Sequence, residues 1–216
     1  MSFGFLLISI SLVIILRLLT GIKLATSEIK VGKVDLLVLS TVSPMEMYFC
    51  TDEMFGKYSD FASSVIHEVA ASAGPVTTFK VGDIVLALSE DMWYRARILD
   101  VPEGDSVLID FFDMAMIREV PKKDLKKASL QVCDFPVMAV KCCFSSWAGK
   151  DEKEAADKFG KKIGELLEDF SQVEAEVIEA GEVNLIKIPS VEDKLDVKPT
   201  PPMSRADMLK LKLRKN

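Results

Sequence analysis

Between residues 79 and 128, four short apolar runs follow one another with turn residues between them, and this spacing limits the fold more than any other feature of the chain. The runs cover 83–88, 93–101, 106–112 and 117–120. Gly82, Glu90-Asp91, Pro102-Glu103-Gly104 and Pro121 punctuate them. Strands this short and this close in sequence point to a small barrel.

The flanking segments read as a second unit of mixed structure. Alternating runs at 34–39 and 45–50 surround Ser43-Pro44, the pattern of a hairpin. Residues 58–73 place Phe61, Val65, Ile66, Val69 and Ala70 at helical spacing, and Gly74-Pro75 stops that helix. A strand is expected over 135–144, a helix over 151–168, and closing strands over 174–179 and 183–188. Residues 193–202 are polar and proline-bearing, and the end is basic, with Arg205, Lys210, Lys212, Arg214 and Lys215 against Asp207. The fold class expected is mainly β with flanking helices (α+β), with a flexible basic tail over 191–216.

Residues 3–16 are apolar except for Gly4, Ser9 and Ser11. This run is short for a span, which needs about 20 residues, but Arg17 can snorkel and carry it to Gly21. A single N-terminal transmembrane helix over 1–25 is expected. A secretory signal fits less well, since a basic start is missing and Leu24-Ala25-Thr26-Ser27 is a poor cleavage site. Arg17, Lys23, Lys30 and Lys33 all follow the run, which places the rest of the chain on the cytosolic side of an endoplasmic reticulum or mitochondrial outer membrane.

Composition removes several functional classes. With 27 Lys and Arg against 33 Asp and Glu the formal charge is −6, so direct nucleic-acid binding is not expected of the chain. Cys50, Cys133, Cys142 and Cys143 show no CxxC spacing, and the single histidine, His67, has no metal-ligand partner at i±4. No metal, no cofactor and no catalytic set is expected.

Three stretches carry a family resemblance. Val81-Gly82-Asp83-Ile84-Val85-Leu86-Ala87, then Glu90-Asp91-Met92-Trp93-Tyr94-Arg95-Ala96-Arg97-Ile98, then Val107-Leu108-Ile109-Asp110-Phe111-Phe112-Asp113 resemble a Tudor domain. The flanks are similar to the split lobe of an extended Tudor domain. That resemblance implies a five-stranded Tudor barrel (about 79–128) inserted into an OB-like, staphylococcal-nuclease-like lobe (30–75 plus 132–190). Extended Tudor domains bind peptides carrying symmetrically dimethylated arginine, often PIWI-protein tails, in a cage of aromatic faces with an Asn at its rim. The resemblance therefore implies a non-catalytic adaptor of the piRNA pathway or a perinuclear germ granule, anchored in a membrane.

The cage positions map with losses. The first aromatic falls at Leu88 or Ser89, Tyr94 is kept, and Phe111 matches the third position. The family's "DYGN" reads Asp113-Met114-Ala115-Met116, so Met114 and Met116 replace the Tyr and the Asn. Asp113 is also suited to fix the strand end by accepting from local backbone N–H groups. A cage with two aromatic faces of four keeps about half of the cation–π attraction. Methionines suit adaptable apolar contacts and cannot donate as an amide does. Glu90-Asp91 forms an acidic rim suited to arginine-rich tails. Two other readings stay open: a nucleic-acid-binding or nuclease-like protein working through the OB-like lobe, and a pure protein scaffold that recognises no methylarginine.

Overall fold

The computed structural model describes residues 24–195. The anchor expected over 1–25 and the basic end of the chain lie almost wholly outside the described residues. Among those residues no helix is long and apolar enough to cross a membrane.

Two β units share the chain. The outer lobe is a closed five-stranded barrel of β1 (Gly32–Ser43), β2 (Glu46–Cys50), β8 (Val140–Phe144), β9 (Gln172–Glu179) and β10 (Asn184–Lys187). Around the barrel the order is β1-β2-β8-β10-β9, with β8 and β10 parallel and every other pair antiparallel. This is the strand path of an OB-fold, as expected for the lobe. Leu36, Val38, Met47, Phe49 and Phe144 fill its interior.

Between β2 and β8 the chain leaves the lobe. Thr51 caps α1 (Asp52–Phe61) by accepting from the Met54 N–H at 3.2 Å, and the helix runs through a π-helical segment (Ala62–Ile66) into α2 (His67–Ser72). The second unit follows as β3 (Ile84–Ser89), β4 (Met92–Asp100), β5 (Ser106–Phe111), β6 (Met116–Pro121) and β7 (Leu125–Lys127). Hydrogen bonds order it β6-β5-β4-β3-β7, so the ladder of this sheet is open, and the closed ladder belongs to the outer lobe. That corrects the expectation of a closed inserted barrel, but only in part. The edge strands β6 and β7 are joined by one 3-10 turn (Lys122–Asp124). A flat five-stranded sheet would hold them about 19 Å apart, farther than so short a turn reaches, so the sheet must curl. Alternation along β5 sends Val107, Ile109 and Phe111 into the enclosed core.

The chain returns through α3 (Leu130–Cys133) to β8, and α4 (Glu152–Leu166) then crosses β1. Asp151 caps α4 by accepting from the Glu154 N–H at 2.9 Å. A Cβ on Gly160 would lie 2.9 Å from the Val42 carbonyl oxygen, so the glycine sets how closely helix and strand approach. The strand expected over 135–144 is only β8, because residues 135–139 serve the junction between lobes. Residues 191–195, expected to belong to the flexible tail, are packed instead. Val191 and Leu195, in and after α5 (Pro189–Glu192), are buried in the barrel core.

A third core joins the units. It combines Leu39 and Cys50 of the outer lobe, Tyr58, Phe61 and Ile66 of the connecting helix, and Leu86 and Phe112 of the inserted sheet. The start of the described chain is sewn to it, with Leu24 buried and Ser27 N–H donating to the Val137 carbonyl at 2.9 Å.

Candidate functional site

At the centre of the junction lies an arginine removed from solvent. Arg95 of β4 and Asp113 are both 0 % exposed. Arg95 Nε donates to Asp113 Oδ2 at 2.9 Å and Nη2 to Oδ1 at 2.7 Å. The remaining donors reach the carbonyls of Val132 (2.8 Å), Phe135 (2.6 Å) and Pro136 (3.1 Å). A guanidinium has five N–H groups, and all are used. Its carbon lies 5.3 Å from the ring centres of Phe61 and Phe112 and 5.6 Å from that of Phe135. The protein thus cages an arginine of its own, from three different segments.

Asp113 is consumed by this arrangement. Its Oδ1 also accepts from the Met138 N–H at 3.0 Å. Burial pushes its carboxyl above the ordinary range, while the Arg95 guanidinium and the Met138 amide hold the charged form. Asp113 is therefore no wall of a ligand site, and its partners are Arg95 of the neighbouring strand and the Met138 amide of the returning segment, not the local turn. That corrects both expectations for this residue.

The other expected residues converge, with one exception. A cavity of about 420 Å³ opens between the inserted sheet and the outer lobe, lined by Ser89, Tyr94, Phe111, Met114 and Met116. Leu88 pairs with Trp93 in the sheet and is not among its lining residues. Tyr94 and Phe111 meet edge to face, with centroids 5.8 Å apart and planes at 85°. Phe111 is 1 % exposed, so it forms a floor behind Tyr94 and offers almost no face of its own.

Backbone geometry aims these side chains. Ser89 and Met92 pair across a two-residue turn in which Glu90 (φ 51°) and Asp91 (φ 65°) are both left-handed, a turn that follows the strand twist. Glu90 lines the cavity and accepts from Arg118 Nη1 at 3.1 Å. The β5–β6 turn is held by Met114 N–H donating to the Phe111 carbonyl at 2.8 Å, and Ala115 sits at φ 51°. That left-handed backbone favours glycine, and here a residue with a Cβ adopts it.

Sequence reasoning missed the far side of the cavity. Leu39 and Ser40 of β1 line it, and a bulge at Leu39 re-aims the strand there, since Val38 pairs with Phe49 and Ser40 with Tyr48. Asp169 and Phe170, between α4 and β9, line it as well. The one signal for them in the sequence is an aromatic next to an acid where a helix gives way to a strand.

A second cleft of about 410 Å³ lies on the other side of the β5–β6 turn, with Ala115 and Ile117 lining both. It carries the cross-strand pair Arg97 and Asp110. Burial raises the Asp110 carboxyl, and Arg97 opposes the rise. Among the described residues no group of three or more His, Cys, Asp or Glu is placed to hold a metal ion.

Residues 29–146 match the sequence model of the Tudor domain. The chain belongs to the Tudor domain family. In sequence it is 33 % identical over 89 residues to the human Tudor and KH domain-containing protein, a match covering 39 % of this chain and 16 % of that protein. In structure it is similar to the extended Tudor domain of Drosophila melanogaster Tudor-SN, at TM-score 0.63 and 16 % identity, covering 86 % of this chain and 93 % of that one. It is also similar to the extended Tudor domain TD3 of mouse TDRD1, solved with a MILI peptide containing dimethylarginine. That likeness has TM-score 0.60 at 22 % identity and covers 77 % of this chain and 87 % of the other. The inserted sheet is thus the Tudor module, and the OB-like barrel with its connecting helix makes the fold that of an extended Tudor domain.

Proposed function

We propose that this chain is a non-catalytic Tudor adaptor that binds an arginine-rich peptide tail in the cleft between its two lobes. The observation that carries this reading is the cavity itself. It is floored by Tyr94 on Phe111, walled by Met114 and Met116, and bears Glu90 and Asp169. A cation gains from the Tyr94 face and from the carboxylates, and the thioethers accept the aliphatic stem of the side chain. The complex of the mouse TDRD1 domain with a dimethylarginine peptide supports the ligand class. PIWI-protein tails are the first partners to test, with a role in piRNA-pathway or germ-granule assembly. The apolar run at 3–16, followed by Arg17 and Lys23, suits a tether to a membrane with the Tudor domain on the cytosolic side.

The test is calorimetric titration of the full chain with one arginine-rich peptide and with its arginine-to-glutamine counterpart. Binding of the first, its loss in the second, and weakening by Tyr94→Ala of about three- to fivefold support the reading. Equal binding of both peptides contradicts it.

A further inference from the structure

Four non-glycine residues among those described have left-handed backbones, and Glu90, Ala115 and Phe170 of these line the cavity. Left-handed geometry is unfavourable for a side chain with a Cβ, and where it persists it tends to mark sites with a task. Phe170 is the least expected of them. It holds φ 62° and stays 55 % exposed, so core packing does not explain the ring. Its position is nonetheless fixed. Phe170 N–H donates to the Val38 carbonyl at 2.7 Å, and Ser171 donates to the Glu168 carbonyl from N–H (3.0 Å) and from Oγ (2.6 Å). Beside it Asp169 is exposed and makes no hydrogen bond or ion pair among the described residues.

We propose that Phe170 and Asp169 of the OB-like lobe complete the pocket that the Tudor module leaves half built, and that the completed pocket prefers an unmethylated arginine over its symmetrically dimethylated form. This rests on the peptide-binding reading above and concerns the same site. Phe170 supplies a wall from the lobe where Leu88 and Ser89 supply none. Asp169 supplies an acceptor where Met116 supplies none. With Phe111 nearly buried, half-buried Tyr94 and exposed Phe170 are the rings left to meet a ligand, and recognition shifts from aromatic faces toward charge-assisted hydrogen bonds to a carboxylate. Methylation keeps the guanidinium charge but removes N–H donors and hinders paired bonding to Asp169.

The test is titration of the full chain and its variants with one arginine peptide, unmodified and symmetrically dimethylated at its central arginine. We expect the unmodified form to bind about threefold more tightly. Phe170→Ala should weaken it about two- to fivefold, with Phe170→Trp restoring affinity. Asp169→Asn should weaken the unmodified form and abolish the preference. Unchanged melting temperatures show that the variants keep their fold. If Tyr94→Ala weakens binding while Phe170→Ala and Asp169→Asn bind as wild type, the pocket belongs to the Tudor module alone and the proposal fails, with the peptide-binding reading intact. Tighter binding of the dimethylated form also overturns it. Binding of neither peptide overturns both readings.

Discussion

Arg95 stands beside Tyr94 in the same tetrapeptide, yet the two do opposite things. Strand alternation sends neighbouring side chains to opposite faces, so Tyr94 reaches the cavity while Arg95 points into the lobe junction. Every donor of Arg95 is satisfied, and removing one partner of such a pair leaves an uncompensated charge in the interior. We expect Asp113→Asn to cost about 3–5 kcal/mol, read as a lower urea midpoint at unchanged slope. Arg95→Lys should be comparably damaging, because an ammonium cannot replace the planar fork. Ala115 gives a test of opposite sign. Its left-handed backbone makes Ala115→Gly stabilising by about 0.5–1 kcal/mol, after the added freedom of the unfolded chain is subtracted.

Among the elements, those with strong periodicity were legible and those defined by contacts were not. Strands β3 to β6 begin and end within a residue or two of expectation, because alternation and turn residues mark both ends. Strand β7 has three residues, too few to show a period, and exists because Lys126 and Leu125 pair with Leu86 and Ala87. Helix α1 starts at Asp52 and not near residue 58, because its first turn packs little and is announced only by the Thr51 cap. The Tudor half of the site was readable from the tetrapeptide and the β5–β6 turn. Asp169 and Phe170 come from a loop distant in sequence that meets the module only after folding, so the one local signal, an aromatic next to an acid at the end of a helix, does not tie them to the site. The same dependence on close approach makes Gly160 critical. Gly160→Ala would raise helix propensity by about 1 kcal/mol, but its Cβ would press on the Val42 carbonyl. We expect a net loss of about 1–2 kcal/mol and a lower melting temperature.

For the whole molecule, three cores in continuous contact through the Arg95 junction imply that the two lobes melt together, and the buried thiols give this a pH signature. Burial pushes Cys50, Cys142 and Cys143 up to about 12, from an ordinary value of 9.0. The unfolded chain releases these protons from about pH 9, whereas the folded chain retains them to about pH 12, so stability falls across that window and is indifferent to these groups below it. Each thiol contributes a slope of at most about 1.4 kcal/mol per pH unit. Denaturant midpoints between pH 8 and pH 11 should decline accordingly, and alkylation at pH 8 should be slow until the protein unfolds. The proposed tether is tested at this scale too: deletion of residues 1–23 should move the chain from the carbonate-resistant membrane fraction to the supernatant.

The most direct test of the binding cleft uses the methionines as reporters, because Met114 and Met116 line the cavity while Met47 and Met138 are buried elsewhere at 0 % and 1 % exposure. With methyl-labelled methionine in the full chain, an arginine-rich peptide is titrated while the methyl resonances are followed by NMR, with Met114→Leu and Met116→Leu for assignment. We expect both cavity methyls to shift saturably and together, with Met47 and Met138 unmoved and the shifts abolished in Tyr94→Ala. Saturable binding that leaves the Met114 and Met116 methyls in place would contradict the assignment of this cleft as the peptide site.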